Sequence, residues 1–316
     1  MMSEKISNNN QSMPVFKLSF LQPKYWLTWL GLMLFYLFSM LPISIINVVG
    51  ERLGEYAAKK NKKRFNIALV NLSLCFPEKS QAEIKVMLLD HARAHVRGLI
   101  QYGLIWWAPL YRLDKFIDVE AFEQIERLLE QKKNIILLTC HHAGLEFTGI
   151  ALSRRHACSG PYKPMRNELI NWLVARGRAR LGTKTYTRED GFRPLIRDTR
   201  KGRLLIYLAD EDLGSDVSVF APFFGVQKAT ISVLGRLTKS CDAAVLPCIA
   251  CYDKEKSKYV VKVLPQLENF PSGDDIADAT VMNKAVEDMI RQCAVQYFWT
   301  MRLFQTRPPG EDSVYD

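Results

Sequence analysis

The run Cys140-His141-His142-Ala143-Gly144-Leu145-Glu146 places a histidine and a carboxylate five residues apart, directly after an apolar stretch of strand length (134–140). Those two residue types can do proton-transfer chemistry. A carboxylate that accepts a hydrogen bond from one ring nitrogen fixes the tautomer and leaves the other nitrogen free to take a proton. Such a base activates a hydroxyl directly, so no nucleophilic serine is needed. Along one continuous helix a five-residue offset turns through about 500°, or about 140° net, and the two side chains diverge. They meet if His141 ends the strand, Gly144 eases the turn and Glu146 lies in the first helical turn. The helix N-terminus then offers N–H groups to a developing oxyanion. His142 and Glu146, four apart, are an equally good pair within one helix, and spacing alone does not choose between the histidines.

The elements around this motif alternate from residue 134 onward. Strand-like apolar runs lie at 134–140, 203–209 and 243–252, with a β-prone run at 259–264. Helical stretches fall at 145–154, 167–181, 191–200, 230–239 and 280–293. Alternation of this kind predicts an α/β sheet covered by helices on both faces. The short connection between 252 and 259 predicts a hairpin, and so a mixed sheet. Residues 51–115 read as helical, with a capping box at Ser80 and Glu83 opening a helix through about Gly98. His91 and His95 share a face of that helix, but no third metal ligand is near, so they read as half-buried or solvated histidines.

The chain has 316 residues, 48% of them hydrophobic, and a formal net charge of +10. A core can form, and a mean hydropathy of −0.07 excludes a polytopic membrane protein. The basic excess suits anionic lipid, phosphorylated substrates, an acidic carrier protein or nucleic acid. No GxGxxG, GxxxxGK[ST], GxSxG or nucleic-acid module occurs. Seven scattered cysteines do not read as a disulfide framework; buried reduced thiols in a reducing compartment are expected.

Residues 25–49 carry no charge, and the run YWLTWLGLMLFYLFSML before Pro42 is near the lower length limit for a spanning helix. The flank after it holds Arg52, Lys59, Lys60, Lys62, Lys63 and Arg64. The excess of positive charge there predicts a cytoplasmic C-terminal side. The expected organisation is a tail over 1–24, disordered over 1–13, a transmembrane segment over 25–49 and one cytoplasmic domain over 50–316.

Several ordered stretches carry a resemblance. They are LQPKYWLTWLG at the membrane segment, NLSLCFPE near residue 75, HHAGLE, YKPMRNELINWL at 162–173, DEDLGSDVSVFAPFFGV at 210–226, and FWTMRLFQTRPPG. Over nearly its whole length the chain resembles the late lipid A acyltransferases of Gram-negative bacteria, the lauroyl and myristoyl transferases with an H-x4-[DE] motif. The Glu form resembles the lauroyl-type branch. The resemblance implies the glycerolipid-acyltransferase α/β fold with an N-terminal transmembrane helix in the inner membrane. It implies His141 as general base and Glu146 as the residue that orients it. The implied donor is an acyl chain on acyl carrier protein. The implied acceptor is a phosphorylated, Kdo-bearing lipid A precursor. Lys163 stands where the family carries arginine, so Arg166, with Lys163 second, is the expected cation for the acceptor. Asp210 and Asp212, at a strand end, and Arg236 are further candidates for the substrate site. No cofactor, metal or nucleic acid is implied.

Three other functions compete. One is an acyltransferase acting on a glycerolipid or glycosylated lipid, although the glycerolipid motif EGTR is missing. Another is a non-catalytic, membrane-tethered protein that binds lipid or carrier. A metal hydrolase built on His141 and His142 is the weakest, because adjacent histidines seldom chelate one ion.

Overall fold

In the computed structural model, which describes residues 14–187 and 189–315, the uncharged N-terminal segment does not form one rod. Two 3-10 turns (Leu18–Leu21 and Pro23–Tyr25) lead into α1 (Trp26–Met40), and α2 (Ile43–Lys60) follows after a break. Pro42 causes the break, since it lacks an N–H and disfavours helical backbone at Leu41. The carbonyls of Ser39 and Leu41 at the break accept from the Arg112 guanidinium. The expectation of a single spanning helix over 25–49 is therefore corrected: among the described residues, no helix is long and apolar enough to cross a membrane. The 15 residues of α1 reach only about 22 Å, against roughly 30 Å of hydrocarbon. The disorder expected over 1–13 lies outside the described residues.

Helices α3 (Lys62–Cys75), α4 (Gln81–Trp107) and α5 (Leu110–Phe116) complete the N-terminal layer. Ser80 and Glu83 form the expected capping box. Arg97, buried on α4, donates to Glu51 at 2.6 Å and lies 4.3 Å from the centre of the Tyr252 ring, joining α2, α4 and the sheet.

The rest alternates as expected. The order is β1 (Ile117–Glu120), α6 (Glu123–Glu130), β2 (Asn134–Thr139), α7 (Leu145–Ser153), β3 (Cys158–Pro161), α8 (Glu168–Arg180), β4 (Thr183–Tyr186), α9 (Arg193–Arg200), β5 (Leu204–Leu208), β6 (Val219–Phe223), β7 (Val226–Thr230), α10 (Val233–Cys241), β8 (Ala243–Asp253), β9 (Lys258–Val263) and α11 (Asp275–Gln292). Seven strands form one sheet in the order β1-β9-β8-β2-β5-β3-β4, while β6 and β7 make a separate hairpin. Only β8 and β9 pair antiparallel within the large sheet, so it is mixed. Side chains of β2 alternate between two cores. Ile136 and Leu138 face α9, α10 and α11, and Ile135 and Leu137 face α6 and α7. Both faces are covered, as a largely parallel sheet requires.

Cysteines 75, 140, 158, 241 and 248 are buried free thiols, as expected. Cys251 and Cys293 are instead joined by a disulfide, because the end of β8 and the C-cap of α11 bring their Cα atoms to 5.8 Å. That pairing, across 42 residues, was invisible in the spacing.

Candidate active site

Strands β2 and β5 are parallel neighbours at the centre of the sheet, with Thr139 opposite Leu208. Two residues further on, the same register brings His141 beside Asp210. The His141 Nδ1 lies 2.8 Å from Asp210 Oδ1, and the His141 backbone N–H donates to Asp210 Oδ2 at 2.7 Å. The partner expected for the ring, Glu146, does not fill that place. It lies in the first turn of α7 and points to α8, where its two oxygens accept from Nε and Nη2 of Arg178, the former at 3.0 Å. The strand-end register, not the local spacing, decides which carboxylate meets the histidine.

Asp210 is 2% exposed. Burial alone pushes its carboxyl up, but the facing His141 imidazole, its two hydrogen bonds to that residue and the charge of Lys228 outweigh it and leave the group below its ordinary range. Burial likewise works against the charged form of His141, yet Asp210, with help from Glu211, raises its basicity above that of a free histidine. The His141 side chain keeps 21% exposure, and its Nε2 lies 3.8 Å from Glu211, toward solvent. An imidazole held at Nδ1 by a buried carboxylate and open at Nε2 is equipped to take a proton from a bound hydroxyl.

His142 is fully buried. Its Nδ1 lies 2.8 Å from the Cys140 carbonyl, which can only accept, so that nitrogen carries the proton. Its Nε2 accepts from the Ala250 N–H at 3.2 Å. Burial drives its pKa down to about 4. Both nitrogens are committed to backbone, so His142 fastens the loop to β8 and has no proton to move.

Gly144 explains how the loop fits there. A Cβ at this position would lie 2.2 Å from the Ala250 carbonyl oxygen, so only glycine allows α7 to start so close to β8. The C-terminal segment holds the other side. Phe298 N–H donates to the His141 carbonyl at 3.0 Å and Ala143 N–H to the Gln296 carbonyl at 2.8 Å. The Leu145 N–H donates to the His142 carbonyl, so two amides near the helix start are committed, one to the C-terminal segment and one within the loop.

The remaining predicted residues divide. Asp212 accepts from the Thr306 N–H at 2.7 Å and hydroxyl at 2.8 Å and from the Gly214 N–H at 3.1 Å, which fixes the C-terminal segment to the end of β5. Lys163 and Arg166 are exposed on the loop between β3 and α8, next to Tyr162, whose ring lies 5.6 Å from the Arg178 guanidinium. Arg236 is exposed on α10. Arg178 was missed from the sequence; an arginine within a helix carries no local mark of a carboxylate partner 32 residues away.

Glu146 and Arg178 form part of the wall of a cleft, open to solvent, whose other walls are mostly apolar and include Gly149, Ile150, Ile206 and Leu208. It lies under α7, beside the ends of β5, β3 and β4. Among the described residues no cluster of histidine, cysteine and acidic side chains is arranged to hold a metal ion.

Known proteins resemble this chain along nearly its full length. Residues 13–306 match the family described as bacterial lipid A biosynthesis acyltransferase. The chain belongs to that family. Among its relatives, the lipid A biosynthesis lauroyltransferase of Escherichia coli K12 is 34% identical over 305 residues, covering 96% of this chain and 99% of the relative. The palmitoleoyltransferase of the same organism is 33% identical over 301 residues, covering 95% and 98%. The myristoyltransferase is 29% identical over 313 residues, covering 99% and 97%. The chain is thus an acyltransferase of lipid A biosynthesis. The relatives' names span three acyl chains at similar identity, so the lauroyl assignment is not distinguished by likeness.

Proposed function

We propose that the enzyme transfers a fatty acyl chain, lauroyl or one of similar length, from acyl carrier protein to a hydroxyl of a phosphorylated, Kdo-bearing lipid A precursor. His141 is the general base and Asp210 the residue that orients it. The observation that carries this reading is the buried Asp210 on Nδ1 of a partly exposed imidazole whose Nε2 faces the half-exposed Glu211 carboxylate at 3.8 Å. As the acceptor hydroxyl attacks the thioester carbonyl, its proton passes to Nε2. The imidazolium formed is stabilised by the Asp210 carboxylate, and the proton then goes to the departing thiolate of the carrier.

The cleft under α7 suits the acyl chain: Leu145, Ile150, Ile206 and Leu208 line it, and Leu208 ends β5, two residues before Asp210. Glu146 serves by holding Arg178 through two parallel hydrogen bonds, a geometry that fixes a guanidinium firmly. Lys163 and Arg166, exposed on the loop between β3 and α8, meet acidic groups of the acceptor or carrier in this reading. The net charge of +10 fits two acidic substrates.

Membrane contact, in this reading, comes from a helix that lies in the interface and does not span. Trp26, Leu27, Leu30, Met33, Leu34 and Leu37 stand exposed on α1, an apolar face larger than soluble proteins tolerate. The N-terminal segment also packs on α8, the helix that carries Arg178. Asn167 donates to Thr28 at 3.0 Å and Trp172 to the Pro14 carbonyl at 3.0 Å. An acceptor lipid in the same leaflet would arrive beside the cleft.

The test is transfer from lauroyl-carrier protein to a Kdo-bearing precursor, read by mass spectrometry of the lipid product. His141→Ala should lower kcat by at least about 10²-fold. Full activity of that variant, or no product with any acyl-carrier donor, would defeat the reading.

A further inference from the structure

We infer that the outer face of α2 and the start of α3 form a docking surface for an anionic bilayer, where the cations at 59–64 meet lipid phosphates. The inference rests on the reading of α1 as an interfacial helix and extends it from apolar contact to headgroup charge. Helices α1 and α2 follow one another along α4. A Cβ on Gly103 of α4 would lie 3.1 Å from the Phe35 carbonyl oxygen and 3.3 Å from the Ser39 Cβ of α1. On α2, Cβ atoms at Gly50 and Gly54 would lie 2.6 Å from the Arg97 Cα and 2.5 Å from the Ala92 carbonyl oxygen. Contacts this close fix which way each helix faces. At 100° per residue, Ile45, Val48, Arg52, Tyr56 and Lys59 fall within about 80° of one another, on the side of α2 opposite Gly50 and Gly54. All five are exposed.

Charge is sorted across α2. Its two acids are held by cations of the body of the protein. Glu51 accepts from Arg97 at 2.6 Å and lies 2.9 Å from the Lys254 Nζ, and Glu55 accepts from Arg93 at 2.8 Å. Arg52 reaches Glu55 from the outer side at 3.6 Å and stays exposed. The outward stripe is therefore apolar at its start and cationic at its end. The charges beyond it break a local rule. Lys62, Lys63 and Arg64 open α3, where the positive end of a helix disfavours cations, and no acid stands in that turn. An anionic surface outside the protein offsets that placement. A stripe graded from apolar to basic suits a bilayer, since Ile45, Val48 and Tyr56 reach the acyl boundary while lysine ammonium groups stay with the phosphates. An acidic carrier protein matches the charge but not the apolar start, which continues the exposed face of α1.

The test is co-sedimentation of the full chain with vesicles of phosphatidylcholine alone and of phosphatidylcholine mixed with phosphatidylglycerol. The wild type should partition more strongly onto the mixed vesicles, and added salt should erase the difference. Lys59→Gln with Lys63→Gln should weaken partition onto the mixed vesicles by about 10- to 30-fold and leave binding to neutral vesicles little changed. In detergent micelles the same variant should keep the wild-type kcat and the wild-type KM for lauroyl-carrier protein. Its Tm without lipid should hold or rise, because a cation leaves the positive end of α3. Equal wild-type binding to both vesicle types, unchanged binding of the variant, or a lowered Tm would each overturn the inference. A raised KM for the carrier with vesicle binding unchanged would overturn it too, by giving the surface to the carrier. Failure of the α1 reading looks different: Leu30→Glu with Leu34→Glu would then bind both vesicle types as the wild type does.

Discussion

Asp210→Asn separates the two carboxylates that compete for the role of orienting the base. Asparagine keeps the shape but offers one oxygen where aspartate offers two. Asp210 uses both, Oδ1 toward the ring Nδ1 at 2.8 Å and Oδ2 for the His141 backbone N–H at 2.7 Å. If the amide oxygen keeps the backbone N–H, its NH2 group faces Nδ1. The ring must then turn to the tautomer with the proton on Nε2, which cannot accept one from the acceptor hydroxyl. If the oxygen keeps the ring, a buried N–H is left facing another donor. Either way a charge-assisted hydrogen bond is lost, on the order of 1.5–3 kcal/mol, or about 10- to 150-fold in rate before the base is weakened. The total fall in kcat should reach at least about 10²-fold.

A pH profile adds a second signature. Asp210 raises the basicity of His141, and a general base works only when neutral, so wild-type activity is lost as pH falls through that raised value. Asp210→Asn removes the cause of the rise, and the surviving activity should persist to lower pH. Glu146→Gln breaks the ion pair with Arg178 but leaves the ring contacts intact, so its acid limb should stay in place. The assay is kcat against pH for the three proteins in detergent micelles with lauroyl-carrier protein. If Glu146→Gln moves the acid limb and abolishes turnover while Asp210→Asn runs at near-normal rate, the reasoning from the strand ends is wrong.

Three further outcomes are expected. Gly144→Ala places a methyl 2.2 Å from the Ala250 carbonyl oxygen and should lower Tm and activity together, visible by thermal shift; an unchanged Tm would mean the loop has room that its contacts deny. Burial depresses His91 to about 3 and His95 and His142 to about 4, below their value of 6.5 in an unfolded chain, so unfolding takes up protons below pH 6.5. Stability should therefore fall from about pH 6.5 toward 4, approaching about 4 kcal/mol per pH unit for three protons, and denaturant unfolding that gives a flat stability between pH 6.5 and 5 would contradict this. Leu30→Glu with Leu34→Glu, on the exposed face of α1, should release the enzyme from anionic vesicles in a flotation assay, whereas retention would remove α1 as the contact.

The long apolar runs were legible because burial on both faces of the sheet leaves a continuous apolar signature: β2, β5, β8 and β9 lie where the runs predicted them. The four-residue strands β1, β3 and β4 were not legible. Cys158–Pro161 and Thr183–Tyr186 carry small and polar residues, and pairing at the sheet edge gives them their form. The β6–β7 hairpin was hidden because β6 and its turn, made by Phe224 and Gly225 in left-handed backbone, fall inside the block at 210–226 and β7 runs on past it to Thr230. The helix opened by Ser80 runs nine residues past Gly98. Helix propensity argues for a stop at that glycine, but a side chain there would come within 2.9 Å of the Ala143 Cβ, so α4 keeps it to let the loop after β2 approach.

The site shows why a short motif misled about geometry. His-x4-Glu reads as one unit because its members are five residues apart, yet each holds a distant partner. His141 takes Asp210, 69 residues on, and Glu146 takes Arg178, 32 residues on. Both links follow from topology. The crossover through α7, β3, α8, β4 and α9 returns the chain to β5 beside β2, and parallel register then aligns residue 210 with residue 141. The carboxyl ends of adjacent parallel strands are where such a fold collects reactive groups. The arrangement also separates two tasks. His141 is held from the centre of the sheet by a carboxylate that does not belong to α7. The wall of the cleft is held by the ion pair between α7 and α8, next to the segment that carries the exposed apolar face. A change in the N-terminal helices can therefore reshape the cleft through Arg178 while Asp210 keeps its hold on the His141 ring.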